Sequence, residues 1–278
     1  MRIIIRLAYD GTDFHGWARQ PKLRSVQETL EAGLQLIART DEPPRTVCAG
    51  RTDAGVHAHD QWVHVDLADE VWAGMADRAE FRLRAVMPPD IHIKAVHVAP
   101  QGFDARFSPL WRRYSYRVCD ASDGIDPLRR REVLPHHRQL DASLMHVAAQ
   151  ELVGTHDFAA YCKQREGATT IRGLQHLSVV RQDDGIVRID LQADAFCHSM
   201  VRSIVGALLL VGDGRKPVEW PGQVLATTQR DPQVPVVGAQ GLVLEEVVYP
   251  DETELAARAQ QTRAWRSLEQ ADDEGVEG

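Results

Sequence analysis

Lysine is nearly missing from this 278-residue chain: Lys22, Lys94, Lys163 and Lys216 are the only four, and arginine supplies the rest of the 32 basic residues. Cysteine is as scarce. Cys48, Cys119, Cys162 and Cys197 stand far apart with no Cys-x-x-Cys pair, a spacing that argues against a zinc site or a disulfide framework and for a reducing, cytoplasmic setting. No long apolar run occurs; the most apolar stretch, residues 203–212, is too short to cross a bilayer. The start, Met1 to Arg6, sets arginines into an apolar run and lacks a small-residue cleavage site, so it reads as a strand and not a signal peptide. No Gly/Ser-rich linker divides the chain. What is there, 44% hydrophobic and 26% charged residues, describes a globular protein long enough for a sizeable core. The net charge of −8 argues at first sight against a nucleic-acid partner. Much of it sits in residues 251–278, which carry eight acids against three arginines, although the remainder is still acidic. Arginine suits phosphate because its planar fork donates twice, and Arg112-Arg113 and Arg129-Arg130-Arg131 offer a local basic groove or, equally, solvated charged faces.

Periodicity divides the chain into alternating elements. Residues 2–9 read as a strand ended by Asp10-Gly11. Ser25-x-x-Glu28 is a capping box, and Val26, Leu30, Gly33, Leu34 and Ile37 follow at helical spacing to about Thr40. Strand character returns at Gln61–Leu67, a second helix is predicted over Val71–Val86, and Ile91–Val98 alternates as a strand. The second half repeats the rhythm: a strand around Tyr114, Tyr116 and Val118, a helix capped by Asp141 and closed by Gly154, and strands at about 175–181 and 186–193. A buried helix from Met200 to Gly212, a short one near 220–227 and a closing strand from Gly241 to Tyr249 complete it. The expected fold class is α+β, in two α/β halves with helices on one face of each sheet. Residues 1–101 form the first half, 102–250 the second, and 251–278 an extension that is helical to about 270 and disordered at its end.

The stretch with chemical character is Cys48-Ala49-Gly50-Arg51-Thr52-Asp53-Ala54-Gly55-Val56-His57-Ala58. Its glycines permit a tight loop. Residues two apart share a face in extended chain, so Arg51 can lie beside Asp53 and keep the carboxylate charged. A charged, positioned aspartate is a candidate nucleophile. A loop aspartate capping a turn would be the ordinary reading of a lone Gly-x-x-Asp.

This run resembles the catalytic motif of the tRNA pseudouridine synthase A family. Tyr9-Asp10-Gly11-Thr12-Asp13-Phe14-His15-Gly16-Trp17 and Ser25-Val26-Gln27-Glu28 are similar to the family's N-terminal segments. Phe103 to Ser108 and Arg112-Arg113-Tyr114-Ser115-Tyr116 are similar to its second motif, and Ala195 to Arg202 and Ala239-Gln240-Gly241-Leu242 to its C-terminal motifs. The matches run in order from about residue 3 to 249. The resemblance implies two halves joined in one extended sheet with a catalytic cleft between them. It also implies isomerisation of uridine to pseudouridine in the tRNA anticodon stem-loop at positions 38, 39 or 40, a homodimer, and neither metal nor organic cofactor. Asp53 falls at the nucleophile, attacking C6 of the base or C1′ of the ribose. Tyr114 falls at the active-site tyrosine, where its ring would stack on the flipped base and its hydroxyl would shuttle a proton; by its own pattern it is an ordinary strand tyrosine, as Tyr116 is. Arg202, near the start of an apolar helix, matches a charge partner for Asp53, against the alternative that it snorkels to solvent. Arg51 is assigned to RNA phosphate or base flipping, and Leu242 to an apolar wall against the base. His57, His59 and His198 are given no catalytic role.

Two departures stand out. Ser199 replaces a second histidine usual before Met-Val-Arg, and Ile171-Arg172-Gly173-Leu174 replaces the usual Arg-Thr-Ile. Two other classes compete: a non-catalytic RNA-binding module using Tyr114 and Tyr116 as stacking platforms, and an aspartate-nucleophile hydrolase of small molecules, for which the chain holds no phosphate-cradling or metal motif.

Overall fold

The computed structural model describes residues 1–122, 124–163, 169–227 and 229–263. They fall into two compact units, one of residues 1–110 with 244–263, the other of residues 111–243.

In the first unit the chain forms β1 (Arg2–Tyr9), α1 (Val26–Ala38), β2 (Thr46–Cys48), β3 (His57–Asp66), α2 (Asp69–Ala73), α3 (Ala79–Val86) and β4 (Ile91–Val98). β1 is central, antiparallel to β3 on one side and β4 on the other, and β2 adds to β3. Ile3, Ile4, Ile5 and Leu7 are all buried and Arg2, Arg6 and Ala8 half-buried, so β1 has no fully exposed residue although Arg6 interrupts its apolar run. The register pairs Ile3 with Val65, Ile5 with Val63 and Leu7 with Gln61, then slips so that Tyr9 meets Ala58. That slip is a bulge at the end of the strand pair nearest the 48–57 loop, where bulges re-aim side chains. The serine half of the expected capping box forms, Ser25 Oγ accepting from Glu28 N at 3.3 Å, while the Glu28 carboxylate lies 3.4 Å from Arg19; Val26, Leu30 and Leu34 face the core. The single helix predicted over 71–86 is instead two helices around a 3-10 turn at Ala76–Arg78. Gly74 closes α2, and glycine is a poor interior helix residue.

The second unit holds β5 (Trp111–Cys119), β6 (Leu134–Pro135), α4 (Ala142–Gln150), β7 (Gly154–Asp157), β8 (Ile171–Arg181), β9 (Val187–Ala193), α5 (Met200–Gly212) and α6 (Trp220–Leu225). β5, β9, β8 and β7 run antiparallel in that order, with β6 parallel to β5. Asp141 caps α4 by accepting from Ser143 N and Leu144 N, both at 2.9 Å. The helix stops at Gln150, before the predicted Gly154, which opens β7 instead.

β10 (Leu242–Val248) and α7 (Leu255–Arg263) end the described chain. The helix expected over 252–270 is therefore observed in its first part, while residues 264–278, including the end expected to be disordered, lie outside the described residues. α7 is no loose extension: Leu255 and Ala259 are buried, Ser108 Oγ donates to Leu255 O at 3.1 Å, and Arg263 pairs with Asp104 at 2.7 Å.

The cysteines overturn a further expectation. Cys162 and Cys197 form a disulfide, with Cα atoms 5.8 Å apart across 35 residues of sequence. The 3-10 turn Ala159–Tyr161 is brought beside the loop ahead of α5, where Lys163 N donates to His198 O. Sequence spacing carries no trace of that proximity. The pair also removes the cysteine argument for a reducing compartment. Cys48 and Cys119 are buried and take part in no disulfide. Among the described residues, no helix is long and apolar enough to cross a membrane.

Candidate active site

The first unit builds the 48–57 loop between β2 and β3 and seats it on the Tyr9–Trp17 segment. Trp17 N donates to Thr52 O at 3.0 Å, Gly55 N to Phe14 O at 3.1 Å, and Val56 N to Asp53 O at 3.2 Å. The fit leaves no room for side chains beneath. A Cβ on Gly11 would lie 1.9 Å from Val56 O, and one on Gly16, whose φ is +92°, would lie 2.8 Å from Thr52 O. These contacts explain the two glycines of the N-terminal motif as surfaces for the loop backbone.

Side chains grip the loop as well. Tyr9 Oη and Thr52 Oγ1 are 2.8 Å apart. Gln61 Nε2 donates to Gly50 O at 2.7 Å, and its Oε1 accepts from Gly50 N at 3.3 Å. Gly50 and Thr52 are thus held inward, while Arg51 is exposed and Asp53 half-buried. The expected Arg51–Asp53 ion pair does not form: Arg51 makes no ion pair among the described residues. An exposed arginine gains little from a neighbouring carboxylate in water. His57 is buried, its Nδ1 accepting from Gly11 N at 3.0 Å. His59 is exposed, 3.8 Å from Glu245.

In the second unit Tyr114 and Tyr116 project from one face of β5, and their surroundings differ. Tyr116 is fully buried and donates its hydroxyl to Gly238 O at 2.6 Å; burial pushes its phenol far above the ordinary range. It belongs to the core and is unavailable as a stacking platform. Tyr114 is also buried, at 7% exposure, and its ring meets Phe196 edge-on, with centroids 5.0 Å apart. Arg202 lies in the first turn of α5, half-buried, and donates through Nε to Val237 O at 2.7 Å. It does not simply reach into solvent. Ser199, just ahead of α5, adopts a left-handed conformation with φ +65°. Leu242 opens β10 and is buried.

Gln61, Tyr9 and Thr52 were not singled out from sequence as site residues. A signal existed for Gln61: it occupies an inward position in the row continued by Val63 and Val65, where a carboxamide is costly unless it is hydrogen-bonded.

A family model described as tRNA pseudouridine synthase matches residues 148–250. A tRNA pseudouridine synthase A of Streptomyces avermitilis is 52% identical over 270 residues, covering 96% of this chain and 95% of its own. One of Frankia casuarinae is 54% identical over 266 residues, covering 96% of each. Among solved structures, an archaeal box H/ACA sRNP complex matches at 11% identity with a TM-score of 0.33, over 74% of this chain and 44% of that one, a level at which likeness carries no argument. Identity above one half, sustained over nearly the whole sequence, is decisive: the chain belongs to the tRNA pseudouridine synthase A family.

Proposed function

We propose that this protein isomerises uridine to pseudouridine in the anticodon stem-loop of tRNA, at positions 38, 39 or 40, with Asp53 as nucleophile. The observation that carries the reading is the near-full-length identity to tRNA pseudouridine synthases A. The loop geometry supports the choice of Asp53, since Gly50 and Thr52 are anchored by side-chain hydrogen bonds just ahead of it and Asp53 itself is half-buried.

The reaction breaks the N1–C1′ bond, turns the uracil and joins C5 to C1′; the C5 hydrogen leaves as a proton and N1 takes one up. A base stacked in a stem must first leave it, at a cost of a few kcal/mol. Arg51, exposed beside the nucleophile, contacts phosphate or holds the extruded nucleotide. Asp53 attacks C6 or C1′. Tyr114 supplies a π-face for the freed base, worth about 1–3 kcal/mol, and a hydroxyl for proton transfer. Arg202 offers the positive charge that favours an ionised aspartate, and Leu242 an apolar wall that limits water. The protein works without a cofactor, as a homodimer in the cytoplasm.

Tritium release from tRNA labelled at uridine C5 tests it, because forming the new bond expels that hydrogen. Release by the wild type, lost in Asp53→Asn while tRNA binding survives, is the expected result. Tight binding without release would favour an RNA-binding module. Equal release by both proteins would keep the enzyme and reject Asp53.

A further inference from the structure

Gln61 is fully buried. Its cross-strand partner is Leu7, and its neighbours in the row are Ile3, Ile5, Val63 and Val65. An amide among aliphatic side chains costs free energy unless its donors and acceptor are matched. Among the described residues, the bonds its side chain makes all serve one end of one loop, directly or through Tyr9. Nε2 donates to Gly50 O at 2.7 Å and lies 3.4 Å from Tyr9 Oη; Oε1 accepts from Gly50 N at 3.3 Å. Tyr9 Oη in turn meets Thr52 Oγ1 at 2.8 Å. The carboxamide stands in for a strand partner to the Gly50 peptide, and the phenol carries the same grip to residue 52. β2 ends at Cys48 and β3 begins at His57, so the ladder between them stops short of Gly50.

We propose that Gln61 is a positioning residue for the reaction: through Gly50 directly, and through Tyr9 to Thr52, it sets where the intervening Arg51 and the following Asp53 stand. The inference rests on the reading of Asp53 as nucleophile. A hydrophobic residue of similar size would suit the row better and would leave the Gly50 peptide with unmatched groups, so the amide is explained by the loop and not by the core.

Two variants test it, beside Asp53→Asn. Gln61→Leu fills the space and deletes every bond; kcat for tritium release falls on the order of 100-fold, the effect of moving a reacting group by about 1 Å, while tRNA affinity stays within twofold. Gln61→Glu is the sharper probe. Protonated, the introduced carboxyl donates to Gly50 O and accepts from Gly50 N as the amide does; ionised, it has no donor. Burial favours its neutral form, so activity relative to wild type is near one at low pH and declines as pH rises. A purely space-filling role would give a flat ratio. Full kcat in a folded Gln61→Leu, or a pH-independent Gln61→Glu ratio, overturns the proposal. If Gln61→Leu does not fold, the Gln61→Glu profile decides alone. If Asp53→Asn remains active while the Gln61 variants behave as stated, the nucleophile assignment fails and the positioning role of Gln61 stands.

Discussion

Replacing Gly11 with alanine adds one methyl group at a point where the loop backbone leaves no space. The new Cβ would stand 1.9 Å from the carbonyl oxygen of Val56, whereas contact between such atoms needs about 3.5 Å. The partners must therefore separate by about 1.5 Å, and both are main chain, so no side-chain rotation relieves the clash. On one side Gly11 N is tied to His57 Nδ1. On the other, Val56 N closes the turn onto Asp53 O. The displacement falls on the turn that carries the aspartate. Overpacking of this kind costs about 1–3 kcal/mol, which for a chain of this size lowers the midpoint of thermal unfolding by about 5 °C. A reacting group moved by 1 Å or more loses about 100-fold in rate. The assay is tritium release under single turnover, at a temperature where circular dichroism shows the variant folded. The reasoning is refuted if Gly11→Ala melts and turns over like the wild type, or if its loss of rate is matched by an equal loss of tRNA affinity.

Reducing the Cys162–Cys197 disulfide should destabilise the protein by about 4 kcal/mol, the chain-entropy value for a loop of this length; urea melts with and without dithiothreitol, and of Cys162→Ser, measure it, and superimposable curves would contradict it. His64 is buried, accepts from Ala105 N through Nδ1 at 3.0 Å, and is held below the ordinary histidine range, mainly by burial and then by the Arg2 charge. The unfolded chain then binds the proton more readily, so stability is complete above about pH 6.5 and falls as pH drops below it; His64→Gln should flatten that part of a stability–pH curve. The logarithm of tRNA affinity should fall linearly with the logarithm of salt concentration, and a salt-insensitive affinity would remove phosphate contacts from the account.

Much of the fold was legible because local signals agreed with one another. Ser25 and Asp141 sit at caps whose hydrogen bonds formed as read, and the alternation of Ile91–Val98 and the apolar period of Met200–Gly212 became β4 and α5. Misreadings arose where one residue type serves two purposes. Gly74 looked tolerable inside a helix and ended it; Gly154 looked like a helix stop and began a strand. β3 starts at His57, four residues before its apolar pattern, because its first residues are held by pairing with β1 and not by their own hydrophobicity. At the site, the aspartate loop announced itself through glycine spacing and charge. Its supports did not: the roles of Gln61 and Tyr9 depend on hydrogen bonds across 11 and 43 residues of chain, and the cysteine pair on contact across 35. Such pairings are set by the fold and leave no local pattern.

The inward hold on Gly50 and Thr52 also constrains how this gene can lengthen or shorten. One codon inserted between Ala49 and Thr52 would exchange odd and even positions, turning a charged side chain toward the buried amide and an anchor toward solvent. Only changes of two residues preserve parity, and these lose the seat on Gly11 and Gly16. Length variation among relatives should therefore collect elsewhere, as in the connection between α1 and β2, and the distance from Gly50 to Asp53 should stay fixed.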